Sequence, residues 1–369
     1  MAYHTLDVSM THIPLTLYIH IPWCLRKCPY CDFNSHPSPS RLPETAYVQA
    51  LLTNLSQELP HIWGRRLEAI FIGGGTPSLF SADSIDDLLC GIRALLPFRP
   101  NLEITLEANP GTVEQEKFRD FRQAGINRLS IGIQSFNPVH LHALGRVHDH
   151  AEALRAAEIA HVAGFENFNL DLMFGLPQQS VAQALADLQQ ALALRPTHLS
   201  WYQLTLEPNT LFYKAPPPLP DDDLVAEIQE QGQQFIKDSC YAQYEVSAYA
   251  QNGWQCKHNR NYWEFGDYLA IGAGAHGKLT NPADARITRY QNYRQPAEYM
   301  RQVAQGAARS HTQVLDAREL GSEFMLNALR LRDGFPLSLF TERTGLSTSV
   351  LQPGLTQALQ RGLVELHQG

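Results

Sequence analysis

The chain has 369 residues, 44% of them hydrophobic, which is enough to bury a large core and favours one large domain with a smaller one beside it. A formal net charge of −8 leaves no general attraction to phosphate backbones or anionic lipid, so nucleic acid is not an expected partner. No apolar run approaches the roughly 20 residues of a membrane-spanning helix, and the opening MAYHTLDVSMTHIPLTLYIH has neither the basic flank nor the apolar core of a signal peptide, so a cytoplasmic location is expected.

Taken in chain order, the first strand candidate is LTLYIHI (Leu15 to Ile21), a β-branched apolar run. It leads into WCLRKCPYCDF, where Cys24, Cys28 and Cys31 are separated by three and then two residues. Six cysteines distributed this unevenly, with Cys90, Cys240 and Cys256 scattered as small core residues, point to a ligand cluster rather than disulfides. Three thiolates in one loop can wrap a face of a [4Fe-4S] cubane and leave one iron open to an amine and a carboxylate, an arrangement that resembles the one by which radical S-adenosylmethionine (SAM) proteins hold SAM. A zinc site completed by His20 is the rival reading. Arg26 and Lys27 stand where they would partly offset an anionic cluster.

Helical spacing at Tyr47 to Leu59 separates this loop from the strand LEAIFI (Leu67 to Ile72), which runs into GGGTP (Gly73 to Pro77). Glycines there let backbone groups approach a ligand closely. A helix at Ser84 to Leu95 precedes LEITL (Leu102 to Leu106), and Glu107 closes that strand; a helix at Glu114 to Ala124 precedes RLSIGI (Arg128 to Ile133), closed by Gln134. Arg146 follows in LGRVHD, able to pair with a ligand carboxylate in bidentate fashion or to form a surface ion pair. After a helix at Ala151 to Ala163 comes FNLDLMF (Phe168 to Phe174) with Asp171, then a helix at Val181 to Leu194 and HLSWYQL (His198 to Leu204). Strand and helix alternate, which predicts a parallel sheet; six units suggest a partial (β/α)6 barrel with its reactive groups at the C-terminal ends of the strands.

KAPPPLPDDD (Lys214 to Asp223) is a rigid connector on the barrel's flank, followed by a helix at Leu224 to Asp238, a strand at Tyr244 to Tyr249 and a stretch rich in glycine and aromatics to Gly277. Short amphipathic helices at Glu319 to Leu331 and Leu337 to Thr344 predict a small, mostly helical C-terminal domain. The expected organisation is a barrel over 1–240, a linking segment over 241–310 and a helical domain over 311–369.

The motifs YIHIPWCLRKCPYC, FIGGGTPS, LEANP, IGIQSF, LGRVH and LDLMFGLP resemble radical SAM proteins related to oxygen-independent coproporphyrinogen III oxidase, and the resemblance covers essentially the whole chain. Two features are closer to the haem-chaperone branch of that family. Phe33 stands where the oxidase has a further cysteine, and HNRNYW (His258 to Trp263) is similar to that branch's HNxxYW signature.

The resemblance implies a [4Fe-4S] cluster on Cys24, Cys28 and Cys31, flanked with SAM by Tyr18 and Tyr30. Gly74, Gly75 and Thr76 would contact the methionine end of SAM, and Glu107, Gln134, Arg146 and Asp171 the rest. His258 would contact haem, with Tyr262 and Trp263 offering flat apolar surface and with His276 and Cys256 as local competitors for iron. The implied function is a haem chaperone that binds haem and passes it to acceptor proteins, membrane-bound ones included; its alternative is oxidative decarboxylation of coproporphyrinogen III.

Overall fold

The computed structural model describes residues 13–62, 64–112, 115–281, 283–352 and 354–367. The opening twelve residues, and Glu114 as a helix start, lie outside the described residues.

In chain order the main elements are β1 (Leu15–Ile21), α1 (Glu44–Glu58), β2 (Leu67–Gly74), α2 (Ala82–Leu95), β3 (Phe98–Ala108), α3 (Gln115–Ala124), β4 (Arg128–Gln134), α4 (His150–Val162), β5 (Asn167–Phe174), α5 (Val181–Ala193) and β6 (His198–Gln203). There follow α6 (Asp222–Asp238), β7 (Ala242–Glu245), β8 (Ala248–Ala250), α7 (Lys257–Trp263), β9 (Asp267–Gly272), β10 (His276–Thr280), β11 (Ile287–Asn292), α8 (Pro296–Val303), β12 (Arg309–Val314), α9 (Ala317–Ala328), α10 (Ser338–Thr344) and α11 (Gly354–Gln360). Among the described residues the strands form one twelve-stranded sheet in the order β12-β11-β10-β9-β1-β2-β3-β4-β5-β6-β8-β7.

The six expected strands are all found, parallel and adjacent in chain order. A seventh parallel strand, β9, pairs with the outer side of β1, matching Leu15 with Asp267 and His20 with Gly272. The predicted strand at Tyr244 to Tyr249 is instead the antiparallel pair β7 and β8. Residues 241–310, read from the sequence as a link, contribute β7 to β11 and α7 to the same sheet system. Cys90 and Cys240, expected in the core, are exposed; Cys256 is buried.

Alternation along each parallel strand decides what the sheet presents to its concave side. In β1, Leu15, Leu17, Ile19 and Ile21 pack into the main core among the helices, which leaves Thr16, Tyr18 and His20 facing the lumen. The same period sends Thr105 and Glu107 of β3, Arg128, Ser130 and Gln134 of β4, Asn169 and Asp171 of β5 and His198, Ser200 and Tyr202 of β6 inward. Register stacks them in layers: Glu107 lies beside Ser130, Ser130 beside Asn169, and Asp171 beside Ser200. The C-terminal helices form a second core around Phe324 and Phe340, into which Phe265 and Ile287 of the sheet region insert.

Candidate functional site

Beyond Ile21 the chain enters the cysteine loop, whose limbs are joined by pairing of Trp23 with His36 and Cys24 with Pro37. All three thiols are free, half-buried and turned toward a cavity of about 410 Å³. The glycine turn after β2 lies directly against this loop: Gly75 N donates to Ile21 O at 2.8 Å and Thr76 N to Trp23 O at 2.7 Å. A Cβ on Gly75 would stand 2.5 Å from the Trp23 carbonyl oxygen, and Gly74 has φ +117° with its missing Cβ 2.6 Å from the His20 ring. Only glycine fits at these two positions.

A chain of polar contacts ties the loop to the barrel. Thr76 Oγ1 donates to Cys24 Sγ (3.6 Å), Asn109 Nδ2 donates to Thr76 Oγ1 (2.9 Å), Arg146 Nη2 donates to Asn109 Oδ1 (2.6 Å) and Arg146 Nη1 reaches Cys28 Sγ (3.6 Å). Arg146 also donates to Gly132 O at 2.8 Å, while its buried Nε has no partner among the described residues. The guanidinium is therefore not a surface ion pair, and it joins no carboxylate of the described residues. Burial pushes the Cys24 and Cys31 thiols up, so a nearby cation is needed to hold them as thiolates.

His20, the residue a zinc site would recruit, has both ring nitrogens engaged. Nε2 lies 2.9 Å from the Asn34 carbonyl, which can only accept, so Nδ1 takes the Tyr18 hydroxyl proton at 2.9 Å. Tyr30 packs beside Phe212 and lines the thiol cavity.

Glu107 and Asp171 face the same cavity from adjoining layers. Glu107 accepts from Gly74 N at 3.0 Å; Asp171 accepts from Ser130 Oγ at 3.0 Å and Asn169 Nδ2 at 2.8 Å. Burial, followed by the Asp171 charge, pushes the Glu107 carboxyl up to about 8, and burial raises Asp171 as well. Gln134, held at φ +68°, accepts the Tyr202 hydroxyl at 2.9 Å.

The raised carboxyl has a consequence for stability. Below its ordinary value of 4.5, Glu107 is protonated folded or unfolded and costs nothing; as pH rises from 4.5 toward 8 the unfolded chain loses a proton that the fold retains, and stability falls. In SAM-free protein Glu107→Gln is expected to melt about 3 °C or more above wild type at pH 8.5, the gap closing near pH 4.5. Melting curves with a pH-independent difference would contradict the burial of an unpaired carboxyl.

A second cavity, about 830 Å³, shares Gly74, Glu107 and Asp171 with the first and extends under β1, β2 and α7. His258, the second residue of α7, is 2% exposed and stacks on Phe71 (centroids 5.1 Å) and Tyr18 (6.2 Å), with Tyr262 edge-on at 4.8 Å. Both its ring nitrogens are buried without a partner among the described residues, and burial with the nearby Arg128 charge pushes its pKa down to about 3. Tyr262 and Trp263 do not form one flat face: their planes meet at 45°, and Trp263 lies under the Arg330 guanidinium at 4.3 Å. Cys256 is buried, its thiol pushed up to about 12, with Sγ 3.6 Å from Glu103; His276 is exposed at the rim of the cavity.

The radical SAM superfamily model matches residues 18–191 and the HemN C-terminal domain model residues 315–369. Heme chaperone HemW of Escherichia coli K12 is 52% identical over 349 residues, covering 95% of this chain and 91% of that protein. The chain belongs to the HemW family of radical SAM proteins. Heme chaperone HemW of Bacillus subtilis 168 is 36% identical over 94% of this chain and 92% of its own length. The structure of coproporphyrinogen III oxidase (HemN) from Escherichia coli, a radical SAM enzyme, superposes with a TM-score of 0.81 at 23% identity, covering 98% of this chain and 86% of that one; this likeness is one of fold.

Radical SAM membership implies a [4Fe-4S] cluster and SAM, and the residues present fit both. Among the described residues no three His, Cys, Asp or Glu side chains converge as ligands of a single ion, whereas thiolates around a cubane each meet a different iron. Of the carboxylates that line the thiol cavity, Glu107 and Asp171 at its inner end have hydrogen-bond capacity for hydroxyl or ammonium groups, and Arg146 Nε at its wall, without a partner among the described residues, is a further donor.

Sequence reasoning missed Asn109, the joint between Thr76 and Arg146, and the inner polar layer of Arg128, Ser130, Asn169 and Ser200. Inward alternation counted back in steps of two, from Gln134 through Gly132 to Ser130 and Arg128 and from Asp171 to Asn169, would have found all of that layer but Ser200.

Proposed function

We propose that the protein is a haem chaperone: it binds haem and passes it to acceptor proteins, and it holds a [4Fe-4S] cluster on Cys24, Cys28 and Cys31 with SAM in the adjoining cavity. The observation that carries this reading is the neutral His258 imidazole, unpartnered at both nitrogens and walled by aromatic rings in a cavity next to the thiols. A buried imidazole without hydrogen bonds is costly unless a ligand completes it, and iron is such a ligand. The name heme chaperone carried by relatives at 52% identity supports it.

When bound, the cluster supplies one-electron reducing chemistry toward SAM. The chain's own part is to hold SAM: Gly74, Gly75 and Thr76 leave room for its methionine end, Glu107 and Asp171 accept from its donors, and Arg146 braces both the cysteine loop and the cavity wall. No helix among the described residues is long and apolar enough to cross a membrane, and a cytoplasmic site of action belongs to this proposal. Against the oxidase alternative stands Phe33, 58% exposed on the cysteine loop where the oxidase would place a further thiol.

His258→Ala is expected to change the absorption spectrum of bound haem clearly while lowering occupancy less, because burial of the apolar macrocycle retains much of the affinity. An unchanged spectrum would remove His258 as ligand and transfer that role to His276 or Cys256.

A further inference from the structure

Arg128 opens β4 and points into the barrel lumen, where it is 1% exposed and lines the larger cavity together with His258. Its hydrogen bond to Thr105 Oγ1 is long, at 3.5 Å, and its Nε has no partner among the described residues. The carboxylates nearest to it are engaged elsewhere. Glu103 Oε1 takes the Lys257 N–H at 2.9 Å and the Cys256 thiol at 3.6 Å, and Asp171 is occupied by Ser130 and Asn169.

A guanidinium carries five donors and a charge that does not titrate, so burying it with its Nε–H idle and only a long bond from Nη1 is a large cost that a bound anion would remove. The fork suits a planar carboxylate held through two parallel hydrogen bonds. A doubly charged phosphate fits less well, because Asp171 and Glu107 line the same cavity.

We infer that Arg128 is the docking point for a side-chain carboxylate of the tetrapyrrole whose metal faces His258. The inference rests on the haem reading above and adds to it the group that recognises the ligand's periphery. Arg128 and His258 line one cavity, and Phe71 and Tyr18, stacked on His258, add apolar ring surface to its wall. A ligand that satisfies both idle groups at once must carry a Lewis-acidic centre, an apolar plane and a carboxylate on one frame. Arg128 is thus a binding residue for the carboxylate, separate from the groups assigned to SAM.

The test compares haem with haem dimethyl ester, in which both propionates are blocked, on cluster-loaded protein under anaerobic conditions. Wild type is expected to bind haem roughly ten- to a hundredfold more tightly than the diester. Arg128→Gln should bring haem down to the affinity of the diester without affecting the diester itself, and Arg128→Lys, which keeps the charge but not the fork, should fall between. Cluster absorbance and the melting temperature report whether each variant folds; if Arg128→Gln does not, the wild-type pair of titrations decides alone. Equal affinity of wild type for the two porphyrins, or equal loss for both in Arg128→Gln, would overturn the assignment while leaving haem binding intact. Failure of wild type to bind either porphyrin would instead overturn the haem reading, and the inference with it.

Discussion

Replacing Cys24, Cys28 or Cys31 singly by serine is expected to abolish the visible absorbance of the iron–sulfur cluster in anaerobically reconstituted protein. Three thiolates are the minimum that holds a [4Fe-4S] cluster and leaves an iron for SAM, so none is spare. His20 is not a spare ligand, because both its nitrogens are engaged, and Arg146 and Thr76 are donors already directed at sulfur. Cys90 and Cys240 are exposed, and Cys256 is a buried protonated thiol beside Glu103, so changing any of these should leave the cluster in place. A normal cluster spectrum in one of the first three variants would remove that residue as a ligand.

The next largest effect is expected on SAM affinity. Glu107→Ala and Asp171→Ala should each weaken SAM binding while the cluster remains, since losing a charge-assisted hydrogen bond costs about 1.5–3 kcal/mol, roughly ten- to a hundredfold in affinity. Because Glu107 holds its proton to about 8 in the SAM-free fold, it must release that proton to face a cation. Wild-type affinity should therefore rise with pH toward 8 and level off, whereas Glu107→Gln should bind weakly with a flatter profile. Calorimetry in two buffers of different ionisation enthalpy measures the proton released. Unchanged affinity in both alanine variants would take the pair out of the SAM site.

The six barrel strands were legible because each is a short β-branched run between helical spacings, and local pattern suffices for such elements. β9 was not, since DYLAIG is followed at once by glycines and its partner β1 lies some 250 residues earlier, a pairing that no local window contains. Glu107 and Gln134 stood out because turns follow them closely, and Asp171 because it is the one charged group of its apolar run. Arg128 and Asn169, on the same inward face, sit within the first three residues of their strands, where a polar residue is ordinary.

His258 was legible as a motif residue but not its surroundings. Its stacking partners Tyr18 and Phe71 come from β1 and β2, whereas Trp263, its neighbour in the motif, turns away toward Arg330 of the C-terminal domain. Helical geometry explains the difference: Tyr262 lies four residues on and shares the face of His258, while Trp263, five residues on, does not.

Binding haem and handing it on is separated from oxidising a porphyrinogen by one experiment. One anaerobic preparation, cluster-loaded and supplied with SAM and a reductant, should be titrated with haem and assayed for decarboxylation of coproporphyrinogen III side by side. A haem chaperone is expected to show saturable haem binding without release of carbon dioxide. Steady decarboxylation by that preparation would contradict it and establish the oxidase.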